Sequence, residues 1–79
     1  MSETRAAPRR RIFKAGTIEF SGGGIDCTVK NISETGAQLG VISPLYIPDH
    51  FTLFIASDQF KRRCHIVWRR RNGLGVAFD

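Results

Sequence analysis

Arg5 and Arg9 form an R-x-x-x-R pattern, with Arg10 directly after it. Further along, Asn31, Ser33 and Gly36 form an N-x-S-x-x-G pattern. A guanidinium is planar, permanently charged and a fork of donors. It pairs bidentately with a phosphate or with the O6/N7 edge of guanine, and it stacks on a base. Asn31 and Ser33 add an amide and a hydroxyl. Two positions apart on a strand, they share one face, directed out of the fold. Gly36 lets a backbone approach a ligand or take positive φ. These groups suit an anionic ligand with planar rings. A plainer reading stands beside this one: a solvated basic tail for the arginines, and turn chemistry for Asn31, Ser33 and Gly36. Both can hold at once.

The charge is distributed to match. Residues 1–14 carry a net charge of +4 and residues 61–71 carry +6, while the remaining positions sum to −5. Two basic clusters on a mildly acidic body call for an anionic partner. For Lys61, Arg62, Arg63, Arg69, Arg70 and Arg71, charged protection of a strand and its turn is favoured over a widened anion site or a nucleic-acid surface.

Other chemistries find little support. Cys64 and His65 are adjacent, so on a strand they point to opposite faces and cannot form a dyad. Cys27, Cys64, His50 and His65 have no recognised metal-ligand spacing. Neither a paired-carboxylate constellation nor a Walker-type phosphate loop is present. An enzyme is not expected, and neither is a cofactor. The two cysteines read as reduced, buried, small apolar residues. No apolar run reaches the ~18 residues of a membrane span, and the N-terminus lacks the apolar core of a signal peptide. The expected location is the cytoplasm.

Strands must position the candidate residues. Ala15–Phe20 and Ile25–Lys30 alternate apolar and polar around a glycine-rich turn at Ser21–Gly24 and read as a hairpin. Ala37–Val41, Phe51–Ala56, Phe60–Arg70 and Leu74–Phe78 read as four more strands, with a tight turn at Asn72–Gly73. In the fifth, Cys64, Ile66 and Trp68 are expected inside and Arg63, His65 and Val67 outside. Phe54 falls on the outer face. Pro8 argues against a regular helix near the start. Short strands with turns about every eight to twelve residues indicate a sandwich or barrel, and closure removes exposed edges. The expectation is all-β: a six-stranded antiparallel barrel over residues 12–79, a mobile basic arm over 1–11, and no C-terminal helix.

The two motifs, in this order on this β pattern, resemble the PilZ family. The resemblance implies a bacterial six-stranded barrel that binds the second messenger cyclic di-GMP on its outer surface. By it, Arg5 and Arg9 embrace the guanines and phosphates, with Arg10 as an alternative register. Asn31 and Ser33 hydrogen-bond the ligand, and Gly36 closes the motif. The implied role is a non-enzymatic receptor or adaptor with a downstream protein partner. One rival is a PilZ-like module that binds no nucleotide and meets a protein through Phe54 or the loop at Tyr46. A second, less favoured, is a nucleic-acid-binding barrel: the charge is there, but aromatics interleaved on the outer faces are not.

Overall fold

Alternating apolar and polar side chains give this chain one buried and one solvated strand face throughout, so it folds as a curved sheet. The computed structural model describes residues 10–79. Arg10–Phe20 forms β1, Gly23–Ile32 β2, Gly36–Gly40 β3, His50–Ile55 β4, Phe60–Arg70 β5 and Gly73–Phe78 β6. All pairings are antiparallel, in the order β1-β2-β3-β6-β5-β4. β4 closes the barrel on β1 through Thr17–Phe54, Ile18–Leu53 and Glu19–Thr52. This is the expected six-stranded antiparallel barrel. A short 3-10 turn, Ala56–Asp58, is the only helical segment among the described residues.

The barrel interior is filled by Ile18, Val29, Leu39, Leu53, Ile55, Cys64 and Leu74, all essentially without exposure. Phe51, Ala37 and Val76 complete it, and Phe60 and Phe78 pack against each other at 5.4 Å near one end. Removing this apolar surface from water is the main source of stability.

Three details depart from simple alternation. β1 begins at Arg10, so Arg10 and Arg11 stand in a strand, while residues 1–9 of the expected arm lie outside the described residues. The first turn is the tighter pair Ser21–Gly22, at φ 46° and 77°, and Gly23 and Gly24 belong to β2. Positive φ at both positions matches the twist of a two-residue hairpin. At the β5–β6 turn the central residues are Arg71 and Asn72, and Gly73 already pairs with Arg70. The Asn72 carbonyl accepts the Val41 amide at 3.0 Å, which ties this turn to the segment after β3.

That segment, residues 41–49, crosses one end of the barrel without regular structure. Ile47 is buried and plugs it into the core. Arg69 donates to the Pro44 carbonyl at 2.7 Å, the Ile47 carbonyl at 2.9 Å and Asp49 Oδ1 at 2.8 Å. Carbonyls with no strand partner are satisfied by one guanidinium, as backbone accounting requires.

Candidate functional site

Register places one residue from each of five strands in a row across the outer surface. Arg11 on β1 pairs with Asn31 on β2, Asn31 with Gln38 on β3, Gln38 with Gly75 on β6, and Gly75 with Trp68 on β5. Directly opposed residues in an antiparallel pair project from the same face. Gln38 lies between buried Ala37 and Leu39, so that face is the outside of the barrel.

β-bulges build this row. The ladder shifts between Arg11 and Lys14, between Val29 and Asn31, and between Ile66 and Trp68. Each shift adjoins a residue of the row. A bulge adds one residue to a strand and re-aims the side chains beyond it. Strict alternation from buried Val29 would send Asn31 into the core; the extra residue, Lys30, turns it out. In the same way Val67 turns Trp68 out. The expectation that Trp68 faces the core with Cys64 and Ile66 is therefore corrected.

Asn31 Nδ2 donates to Gln38 Oε1 at 2.7 Å, which orients both amides. The Trp68 indole lies flat over Gly75, where any β-carbon would enter the ring. Arg70 stacks on the indole with its guanidinium carbon 4.7 Å from the ring centroid. A cavity of 220 Å³ opens here, lined by Ala37, Gln38, Val67, Trp68, Gly75 and Val76. The face thus offers an aromatic plate, two amides and guanidinium groups, the chemistry that recognises planar, anionic ligands.

Ser33 and Gly36 do different work. β2 ends at Ile32, so Ser33 does not share a strand face with Asn31, contrary to the expectation. Its amide bonds the Gly36 carbonyl at 2.8 Å. Its hydroxyl accepts the Thr35 and Gly36 amides, both at 3.3 Å. Gly36 is buried and not at positive φ; a β-carbon there would strike the Val76 carbonyl of β6. The plainer reading of Ser33 and Gly36 as turn chemistry describes these contacts. Arg5 and Arg9 lie outside the described residues. Arg10 stands at the head of β1, paired in register with Ile32.

The family model of the PilZ domain matches residues 3–79. The chain belongs to the PilZ domain family. No curated protein matches it. PilZ domains are known as cyclic di-GMP-binding modules and are generally non-catalytic receptors or adaptors.

Other chemistry-bearing residues of this PilZ domain are accounted for by packing. Burial pushes the thiol of Cys27 up to about 11 and that of Cys64 up to about 12, so both stay protonated and poorly nucleophilic. Both are free. Cys64 faces the core while His65 faces out, 2.7 Å from Asp79 Oδ1 through Nδ1. Among the described residues no cluster of three or more His, Cys, Asp or Glu is placed to hold a metal. No helix among them is long and apolar enough to cross a membrane.

The second basic cluster disperses. Lys61 lies over the half-buried, outward Phe54 at 5.5 Å, and Arg62 over Phe78 at 4.7 Å. Arg69 holds the 41–49 segment, and Arg70 covers Trp68. Sequence reasoning did not bring Arg11, Gln38, Trp68 or Gly75 to this face, and it favoured charged strand protection for Arg70. One signal was available: Ile66, Val67 and Trp68 are three consecutive apolar residues, which strict alternation cannot place on one face.

Proposed function

We propose that this PilZ domain is a non-enzymatic receptor for cyclic di-GMP. The carrying observation is that Asn31 of the N-x-S-x-x-G motif stands on an outer PilZ-barrel face beside Arg11, Gln38 and the Trp68 plate. The ligand has two guanines and two phosphates, so it needs flat surfaces, forked donors and amides together. Arg5, Arg9 and Arg10 supply the forks that grip phosphate and the guanine O6/N7 edge. Asn31, oriented by Gln38, presents its amide to a base edge. Ser33 shapes the turn, its hydroxyl turning to the ligand from the Gly36 carbonyl to which it donates at 3.4 Å, and Gly36 brings the turn against β6. The indole of Trp68 stacks on a guanine as Arg70, which covers it in the free domain, turns its guanidinium to a ligand phosphate. Chain order supports the arrangement: the R-x-x-x-R motif stands in the sequence directly before β1, whose Arg11 pairs with Asn31. The output is a changed surface that a downstream protein reads.

Isothermal titration with cyclic di-GMP, with GTP as the control, tests this. Saturable binding of the first and none of the second is expected. Arg9→Ala and Ser33→Ala each weaken binding. If neither does, the site assignment fails. If the folded protein gives no heat with cyclic di-GMP across several temperatures, the receptor reading fails.

A further inference from the structure

His50 and His65 are far apart in the sequence, yet the β4–β5 register sets them directly opposite each other. Their neighbours Phe51 and Cys64 are buried, so both imidazoles project from the outer surface. The Ile66 amide bonds the Asp49 carbonyl at 2.8 Å. Antiparallel ladders alternate, so the adjoining pair, His50 and His65, is of the non-hydrogen-bonded kind, whose side chains stand closest. The ring centroids are 5.9 Å apart and the planes tilted by 39°. A tetrahedral metal ion about 2.0–2.1 Å from one nitrogen of each ring would set the centroids roughly 5 Å apart. Small rotations of these surface side chains cover the difference.

Asp79 fixes the proton on one of the rings. Its Oδ1 lies 2.7 Å from His65 Nδ1. This hydrogen bond holds the Asp79 carboxyl below its ordinary 3.8. An ionised carboxylate only accepts, so Nδ1 carries the proton and the Nε2 lone pair of neutral His65 is left for a ligand. Asp79 is itself anchored: its amide donates to the Arg63 carbonyl at 3.0 Å, and its carbonyl accepts from Arg62 at 3.3 Å. A carboxylate behind an imidazole is the common outer support of a metal-binding histidine.

We infer that His50 and His65 chelate one divalent ion of the zinc, nickel and copper group through their ring nitrogens, with Asp79 as the positioning residue of His65. Ligand chemistry selects the metal. Imidazole suits these ions. Magnesium and calcium need oxygen ligands, and the carboxylates beside the pair are engaged, Asp79 by His65 and Asp49 by Arg69 at 2.8 Å. Arg63, two positions from His65 on the same strand face, further disfavours ions held by charge alone. With two protein ligands, a four-coordinate ion keeps two positions for water or for a side chain of a partner. On β5 the pair precedes the bulge that leads to Trp68. It shares no residue with the nucleotide face and does not rest on the receptor reading.

The test uses the untagged full chain, with zinc ions as the probe and magnesium ions as the comparator. Calorimetry measures affinity, and imidazole and amide chemical shifts locate the contact. One zinc ion per chain is expected to bind and to shift the His50 and His65 rings; magnesium is not. His50→Ala and His65→Ala each abolish saturable binding, with circular dichroism to confirm the fold. The ring shifts of the parent decide the site even where a variant fails to fold. Asp79→Asn is expected to weaken zinc binding by about 10–100-fold. It also moves the His65 proton off Nδ1 in the metal-free domain, which a merely structural role would not do, and Asp79→Glu recovers part of both. Absence of saturable zinc binding, magnesium bound as tightly, or an affinity unchanged in His50→Ala or in Asp79→Asn would each overturn the inference. Cyclic di-GMP titration of the metal-free protein reports on the receptor reading separately.

Discussion

Gly36→Ala separates two roles that one glycine can play. In a nucleotide motif, glycine is read as making room for a ligand. In this barrel the space is already taken, because a methyl at residue 36 would strike the Val76 carbonyl on β6. The obstacle is backbone at the end of the β3–β6 ladder, where Gly36 pairs with Ala77 and the Phe78 amide bonds the Thr35 carbonyl. It cannot swing aside as a side-chain tip would. Overpacking of this kind costs about 1–3 kcal/mol. Alanine also restricts the unfolded chain, which returns about 0.4–1 kcal/mol. The steric term wins, leaving a net loss of about 1–2 kcal/mol. For a domain this small that lowers Tm by about 5–15 °C. With total stability of roughly 4–12 kcal/mol for 79 residues, the variant stays folded and measurable. Thermal unfolding followed by circular dichroism without any nucleotide is the assay. Ser33→Ala provides the scale: it removes the acceptor of two turn amides and costs about 1 kcal/mol. An unchanged Tm in ligand-free Gly36→Ala would refute the steric reasoning and return the glycine to a ligand-only role.

Trp68 is the only tryptophan, so its emission is expected to change on cyclic di-GMP addition with the calorimetric midpoint; binding with no change in emission would remove the indole from the site. Trp68→Ala is expected to weaken binding by about 5- to 150-fold, the range of one base–aromatic stack. Arg69→Ala leaves the Ile47 carbonyl without its donor and the Pro44 carbonyl with the Ile47 amide alone, and lowers stability by about 1–3 kcal/mol; hydrogen exchange at Ile47 and neighbouring amides accelerates, and unaltered exchange there would contradict the clamp. The hydrogen bond from Lys14 at 2.6 Å holds the Asp58 carboxyl below its ordinary 3.8. A depressed carboxylate stabilises the fold above its unfolded pKa and loses that contribution as pH falls through the folded one. Tm should therefore fall more steeply on acidification below about pH 4 in the parent than in Asp58→Asn, and parallel curves would rule this tie out.

Much of the barrel was legible because strand alternation is local. Ile18, Cys27, Val29, Leu74 and Val76 are buried as their spacing indicates, since a residue's face follows from its neighbours two positions away. The glycine-rich turn and the turn before β6 were likewise visible, though their central residues shifted by one or two positions. Arg5, Arg9, Arg10, Asn31, Ser33 and Gly36 could be picked out as a motif, but not assembled into a surface. Which residue opposes which depends on pairing between segments far apart in the chain.

Fold class, strand count and the two motifs follow from local pattern, because alternation, turn chemistry and motif spacing are properties of short stretches. The outer row from Arg11 to Trp68 does not, because it needs five strands in register. A bulge is one extra residue in one strand relative to its neighbour, so it exists only once two strands are paired. The shift at Val67 reversed the face expected of Trp68, and the shift at Lys30 is what keeps Asn31 on the outside, where the motif reading put it. Whether Gly36 serves a ligand or a neighbouring strand was likewise undecided until β6 came to lie against it.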